Sequence, residues 1–223
     1  MLKDLFQNLL YRISQPLIRL LIALRITPDI LTVLGLLANG WAAWCLIKAS
    51  VKGFPAAYAG LAQFGGLVML GGFFDVLDGR VARVSGAASP AGALLDSVLD
   101  RYAELVMFMG IGWAAYSLDQ SRTLLAAFLA MVFSIMVSYT RARTEGLGQT
   151  GSFGLFQRPE RLVLISLAAI ATGFLGLRAK GDAALWQTVL EPALWIVVAG
   201  AGFTAIHRLY RGYQTLRKKA TGG

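Results

Sequence analysis

Charge is scarce in this sequence: Asp, Glu, Lys and Arg make up only 15% of 223 residues, while 57% are hydrophobic. A soluble domain of that length needs a more polar surface, which excludes a soluble globular protein. Cysteine is nearly absent. Cys45 is the single copy, so the chain forms no internal disulfide and carries no information about redox compartment. The one histidine, His207, abuts the last apolar run and reads as an interfacial residue rather than a metal ligand. No cleavable signal peptide, internal repeat, low-complexity tract or domain boundary is visible, so residues 1–223 read as one domain.

What the chain has instead is long apolar runs. Residues 30–47, 54–74, 123–140, 162–177 and 192–206 contain no charged residue, and 102–118 contains only Glu104. A membrane helix needs about 20 apolar residues, with a range of about 17–25. The expected fold is therefore all-α and integral to a membrane. Six transmembrane helices are expected at about 28–48, 55–84, 90–118, 122–143, 160–178 and 191–211. Residues 1–26 mix Lys3, Arg12, Arg19 and Arg25 with Leu, Ile and Phe. That pattern predicts an amphipathic helix in the interface, broken near Pro16.

The formal net charge of +9 points to nucleic acid only if its location is ignored. Six spans place Lys48, Lys52, Arg122, Arg178 and Lys180 on one side, and the other sixteen of the 21 Lys and Arg residues opposite. The positive-inside rule assigns the richer side, with both termini, to the cytoplasmic face of the inner membrane. Part of that charge engages anionic lipid headgroups.

Against this background four acids stand out. Asp75 and Asp78 are three residues apart, and Asp96 and Asp100 four apart, so each pair shares one helix face. Two adjacent antiparallel helices joined through the turn SGAAS would aim all four into one cavity. Ionisable residues in spans normally face a cavity or a partner. Purely oxygen ligands of high negative charge suit hard divalent cations such as Mg2+, and four carboxylates can share two. Structural pairing with Arg80, Arg83 and Arg101 is the plainer explanation, but four acids exceed what pairing requires. Gly79, Ala82 and Gly92 are small enough to let a bulky ligand approach the backbone, although helix packing in lipid also uses such residues. Arg83 shares the face of Asp75 and Asp78, where it can hold a phosphate.

The string Asp75-x2-Asp78-Gly79-x2-Ala82-Arg83-x8-Gly92-x3-Asp96-x3-Asp100 resembles, without gap or exception, the signature of the CDP-alcohol phosphotransferases. The resemblance extends to six spans and an interfacial N-terminal helix. It implies attack of an alcohol hydroxyl on the β-phosphorus of a CDP-linked lipid such as CDP-diacylglycerol, with release of CMP. By the same resemblance Asp75, Asp78, Asp96 and Asp100 bind two divalent metals, Mg2+ or Mn2+, and Asp100 is the general base. Gly79, Ala82, Arg83 and Gly92 contact the CDP moiety. In ITPDILT, residues 26–32, Thr27 and Pro28 suit a helix start. The resemblance adds Asp29 and Thr32 as nucleotide contacts; many members carry Asn where inositol-type members, like this chain, carry Asp.

The acceptor must be read elsewhere. SYTRARTEG, FQRPERL and IHRLYR end or begin the last three spans and bring Arg141, Arg143, Arg158, Arg161 and Arg208 to the face of the acids. Snorkelling at helix ends explains some of these, and Arg211, Arg217, Lys218 and Lys219 belong to that class. An arginine cluster beside a phosphotransfer site suits an acceptor that is itself a phosphate. RPER at 158–161 resembles the phosphatidylinositol-phosphate synthases of the family, which use inositol 1-phosphate. That likeness implies acceptor-phosphate contacts at Arg141, Arg161 and Arg208, with Arg158 in the same cluster. The actinobacterial members usually carry lysine where this chain has Arg141, which keeps the charge but not the geometry.

LDSVLDRYAE departs from the Pro-x-Ala-Asp-Lys pattern common among enzymes that use glycerol phosphate. Glycerol 3-phosphate or another polyol phosphate remains the close alternative. Glu104 is open between orienting Arg101 or the substrate and forming a structural salt bridge. A divalent-cation transporter is the competing class. It would favour acids near mid-membrane with a path to both sides, whereas these acids cluster at one end of the spans. Homodimerisation is implied by the family, with the small-residue-rich third and fourth spans available for packing between protomers.

Overall fold

A computed structural model describes residues 15–148, 156–179 and 183–221, and among them every regular element is helical. Helix α1 covers residues 15–23. It is followed by α2 (Pro28–Ser50), α3 (Phe54–Ser85), α4 (Pro90–Ser117), α5 (Ser121–Gly146), α6 (Arg158–Arg178) and α7 (Glu191–Thr221). A turn of π-helix, Trp186–Leu190, leads into α7. The interfacial helix expected over residues 1–26 lies outside the described residues up to position 14. The described chain is helical from Gln15, with Pro16 in the first turn, so the break expected near Pro16 falls at the edge of the described residues.

Local chemistry explains the helix ends. Thr27 caps α2 by accepting a hydrogen bond from the Ile30 amide at 3.4 Å, and Pro28 occupies the first turn. Ser89 caps α4 in the same way, accepting from Gly92 at 3.1 Å ahead of Pro90. Between them α3 stops at Gly86, whose φ of 71° places it in the left-handed region that favours glycine. At the far end α7 outlasts its expected span by ten residues, to Thr221 rather than about 211. Hydropathy marks where a span leaves lipid, not where a helix ends, and Lys218 and Lys219 suit the negative end of the helix dipole.

Five described helices are long and apolar enough to cross a membrane: α2, α3, α5, α6 and the segment Trp186–Lys219. α4 has 28 residues, but Asp96, Asp100, Arg101 and Glu104 keep it out of that class. The 32 residues of α3 rise about 48 Å, well beyond a hydrocarbon core of about 30 Å. Asp75 lies 21 residues past Phe54, about 32 Å along the axis at 1.5 Å per residue. The acids therefore fall at one end of the apolar layer.

Packing brings the other elements to that end. α3 and α6 cross antiparallel on small residues. A Cβ on Gly173 would lie 2.6 Å from the Tyr58 carbonyl, and one on Gly65 would lie 2.6 Å from the Ser166 carbonyl. Further along, Gly72 faces Leu162, and one turn later Asp75 meets Arg158. This close approach carries the start of α6 to the acids. α3 and α4 are not the side-by-side pair the sequence suggests. α2 packs along both of them, and beyond their connecting turn they meet at few points. They nonetheless bring Asp75, Asp78 and Asp96 together. A second cluster, Ile18, Leu31, Leu77 and Val81, seats α1 against α2 and α3 beside the site.

Candidate active site

The site collects residues from six helices. Asp75, Asp78 and Asp96 each present a carboxylate oxygen, and the three oxygens lie within 4.8 Å of one another. Opposite ligands of an ion bound at about 2.1 Å are about 4.2 Å apart, so a small closing movement makes this a cation cage. Asp96 Oδ1 supports that use, because it is buried without a hydrogen-bond partner, a costly state for a carboxylate oxygen unless a cation meets it. The donor set, all oxygen and all anionic, matches a hard divalent cation.

Asp100 is not part of that cage. Its Oδ1 lies 2.8 Å from Arg158 Nη1, and the same nitrogen lies 3.1 Å from Asp75 Oδ1. Structural pairing with Arg101 is at best weak, at 3.9 Å from Asp100 Oδ2. The closest cation to Asp75 and Asp100 thus comes from α6.

Two cavities open on this centre. One, of about 220 Å3, is lined by Asp29, Thr32, Asp78, Gly79, Ala82 and Arg83, with Gly92 and Asp96 completing its wall. It unites the residues expected to contact the nucleotide. Its walls are made of small residues: a Cβ on Gly92 would come within 3.3 Å of Ser89 Oγ and 3.5 Å of Asp29 Oδ1. Thr32 has a second use. Its hydroxyl donates to Asp78 Oδ2 at 2.7 Å, fixing the most buried of the caged carboxylates. No sequence signal marks this contact, since the partners are 46 residues apart.

The other cavity, of about 430 Å3, shares Asp78, Gly79, Arg83 and Asp96 with the first and extends over Asp100 to Arg141, Arg158 and Arg208. The arginines are held in unequal ways. Arg208 donates to the Val137 carbonyl at 2.8 Å. Arg141 is exposed and pairs with Glu145 at 2.8 Å. Arg161 stands in the cavity wall with 0% exposure. Its Nε and Nη2 bind the two oxygens of Glu104 at 2.8 and 3.0 Å, and its Nη1 binds the Phe156 carbonyl at 3.0 Å. Glu104 is thus a buried salt-bridge partner, as one of its two readings expected, and its mate is Arg161. Arg161 itself, expected at the acceptor phosphate, has no accessible surface with which to touch one. A signal for this pairing existed. Asp100 and Glu104 step one turn along α4, and Arg158 and Arg161 one turn along α6, so two matched acid–arginine pairs bridge the helices.

Residues 25–199 match the family model described as CDP-alcohol phosphatidyltransferase. The phosphatidylinositol phosphate synthase of Mycobacteroides abscessus is 33% identical over 201 residues, covering 89% of this chain and 83% of that protein. Its counterpart in Corynebacterium glutamicum is 34% identical over 212 residues, covering 94% and 88%. Among solved structures, the Mycobacterium tuberculosis phosphatidylinositol phosphate synthase with CDP-diacylglycerol bound has a TM-score of 0.70 at 28% identity, covering 91% of this chain and 94% of that one. The same enzyme with manganese and citrate has a TM-score of 0.71, covering 90% and 88%. With its carboxylate cage, its two joined cavities and these relatives, the chain belongs to the CDP-alcohol phosphatidyltransferase family and is a phosphotransferase that uses a CDP-linked lipid.

Proposed function

We propose that this protein transfers the phosphatidyl group of CDP-diacylglycerol to inositol 1-phosphate, giving phosphatidylinositol phosphate and CMP. The observation that carries this reading is the second cavity. Arg141, Arg158 and Arg208 line it, and it opens directly onto the carboxylates. A chamber so rich in arginine suits an acceptor that brings its own phosphate, a group that free inositol, choline and serine lack. The names of the mycobacterial and corynebacterial relatives support the same acceptor.

Asp75, Asp78 and Asp96 would hold one Mg2+, and Asp100 with Asp75 a second; Mn2+ is an acceptable substitute. Bound there, the ions neutralise the diphosphate, which is the main demand of phosphoryl transfer. The chain does the rest. Gly79, Ala82 and Gly92 admit the diphosphate close to the backbone, Arg83 binds it, and Asp29 meets the nucleoside. Thr32 keeps Asp78 oriented through its hydroxyl. Asp100 accepts the proton of the acceptor hydroxyl, and Arg141 and Arg208 grip the acceptor phosphate. Arg161 adds its charge from behind the wall, tied down by Glu104. In this reading α4 completes a six-span single domain in the inner membrane, with both termini and the site on the cytoplasmic face, and α4 and α5 contribute to a homodimer.

The test offers purified protein CDP-diacylglycerol and Mg2+ with inositol 1-phosphate, glycerol 3-phosphate, free inositol or serine in parallel. CMP release with inositol 1-phosphate well above the other three is expected. Release with glycerol 3-phosphate alone sinks the assignment.

A further inference from the structure

A role in gripping the acceptor does not account for what Arg158 does. One of its nitrogens, Nη1, sits between two carboxylates, 3.1 Å from Asp75 and 2.8 Å from Asp100. The shortest contact to each carboxylate is made by this same nitrogen, so neither carboxylate has the guanidinium to itself. Its Nε is buried and unpartnered, so the guanidinium is incompletely satisfied where it lies. The side chain also lines the acceptor cavity, so an alternative position is at hand. Asp75, meanwhile, belongs both to the caged trio and to this bridge. A guanidinium and a divalent ion cannot share the space between Asp75 and Asp100, because like charges a few ångströms apart repel strongly in a half-buried site.

We propose that Arg158 is an exchangeable internal cation: it holds Asp75 and Asp100 until a second divalent ion displaces it, and it then turns into the acceptor cavity. This rests on the two-ion reading given above. The two ion positions are therefore unequal. The caged trio takes a divalent ion without competition, whereas the Asp75–Asp100 position must first expel Arg158. Displacement does two things at once. It frees the Asp100 oxygen that Arg158 holds, leaving that carboxylate ionised beside the ion and open to the acceptor hydroxyl, and it delivers a third arginine to a chamber that already holds Arg141 and Arg208. The proton acceptor and the acceptor-binding charge thus come into place together, after the second ion has bound.

The test titrates Mn2+ into purified protein in lipid nanodiscs, without nucleotide or acceptor, following binding by calorimetry and by electron paramagnetic resonance. Wild-type protein is expected to bind one ion tightly and a second more weakly. In Arg158→Gln the second ion should bind about 10-fold tighter or better, the scale of one lost charge-assisted contact, with the first unchanged. Arg158→Lys, which keeps the charge as a point donor, should fall between them and guards against misfolding of the first variant. Thermal unfolding gives an independent readout. Without divalent ions Arg158→Gln should melt below wild type, and in saturating Mn2+ the two should converge; a merely structural arginine would leave the gap constant. An unchanged second site in both variants, loss of the first site, or a persistent gap in melting overturns the exchange while leaving two-ion binding intact. A single ion bound by every form, even with CDP-diacylglycerol added, overturns the two-ion reading itself.

Discussion

The two cavities that meet at the aspartates are built on opposite principles. The smaller is made from neighbouring sequence, the first turn of α2 and the α3–turn–α4 corner, and its walls are Gly79, Ala82, Ala87, Ala88, Gly92 and Ala93 with few charges among them. The larger draws on five helices and on residues as distant as Asp75 and Arg208, and its walls are arginines. One cavity would let a ligand come close to backbone; the other would hold one by charge. In the proposed reading the contrast also separates the donor half of the site from the acceptor half. A cradle of small residues around a carboxylate cage has little to vary. Four arginines, each held by a different partner, can be moved or replaced one at a time. Their anchors run from the buried Arg161–Glu104 bridge to the exposed Arg141–Glu145 pair, so their removal should have graded and distinguishable effects.

The largest effect tests where the two halves join. Asp100 lines the larger cavity but not the smaller. Asp100→Asn should therefore reduce turnover by at least about 10²–10⁴-fold, the usual contribution of a positioned general base, while binding of CDP-diacylglycerol survives. Single-turnover CMP release and a donor-binding assay, run on the same preparation, check both parts. Near-normal turnover removes Asp100 from the chemistry, and lost donor binding removes the separation of the cavities.

Next comes the buried anchor. Glu104→Gln or Arg161→Gln leaves one member of a 0%- and 7%-exposed pair uncompensated, which should cost about 3–5 kcal/mol. For a chain of this size that is a fall in melting temperature of about 10 °C, measurable by tryptophan fluorescence in detergent. The double variant Glu104→Leu with Arg161→Met should recover much of the loss, because an apolar pair of similar volume avoids burying charge. If the double variant regains stability but not affinity for the acceptor, Arg161 acts through its charge. If it regains both, the pair is a strut alone.

The difference between the cavities also explains what could be read in advance. Residues spaced three or four apart on one helix share a face. Asp75, Asp78, Asp96, Asp100 and the small residues among them could therefore be recognised as one constellation, and the structure does bring them together. Helix limits were legible for a similar reason: Thr27, Pro28, Gly86, Ser89 and Pro90 signal starts and stops by local chemistry. Contacts between helices are a different matter. Thr32 with Asp78, Arg158 with Asp75 and Asp100, and Arg161 with Glu104 depend on crossing geometry. That geometry is set by glycines such as Gly65 and Gly173, and hydropathy treats them as unremarkable apolar positions. The insertion of α2 between α3 and α4 was hidden for the same reason. Arginine at a helix end reads as snorkelling or binding, and only packing decides which.

Smaller effects belong to the exposed end of the series. Arg141→Ala removes a cation from the acceptor cavity without disturbing a buried contact. It should raise the KM for the acceptor about 10–100-fold, as expected for a hydrogen bond to a charged group, and leave melting temperature and donor binding close to wild type. The pattern is the reverse of that for Arg161, and equal losses of stability in the two would erase the distinction between anchor and ligand.

The smallest effect sharpens that distinction most. Glu145 pairs with Arg141 one turn away on α5, and both side chains are nearly half exposed, at 46% and 45%. Such an (i, i+4) pair contributes only about 0.3–0.5 kcal/mol, so Glu145→Ala should leave the melting temperature within about 1–2 °C of wild type. Its kinetic effect should have the opposite sign to that of Arg141→Ala. Freed from its carboxylate, Arg141 is more available to an incoming phosphate, and the acceptor KM should fall by up to about twofold. The gain should fade as salt is raised, since an exposed pair is screened over about 8–10 Å at ordinary ionic strength. A steady-state comparison at low and high salt therefore reads the pair directly. A severalfold rise in KM would instead make Glu145 a ligand of the acceptor's hydroxyls, and Arg141 would then be the residue it positions.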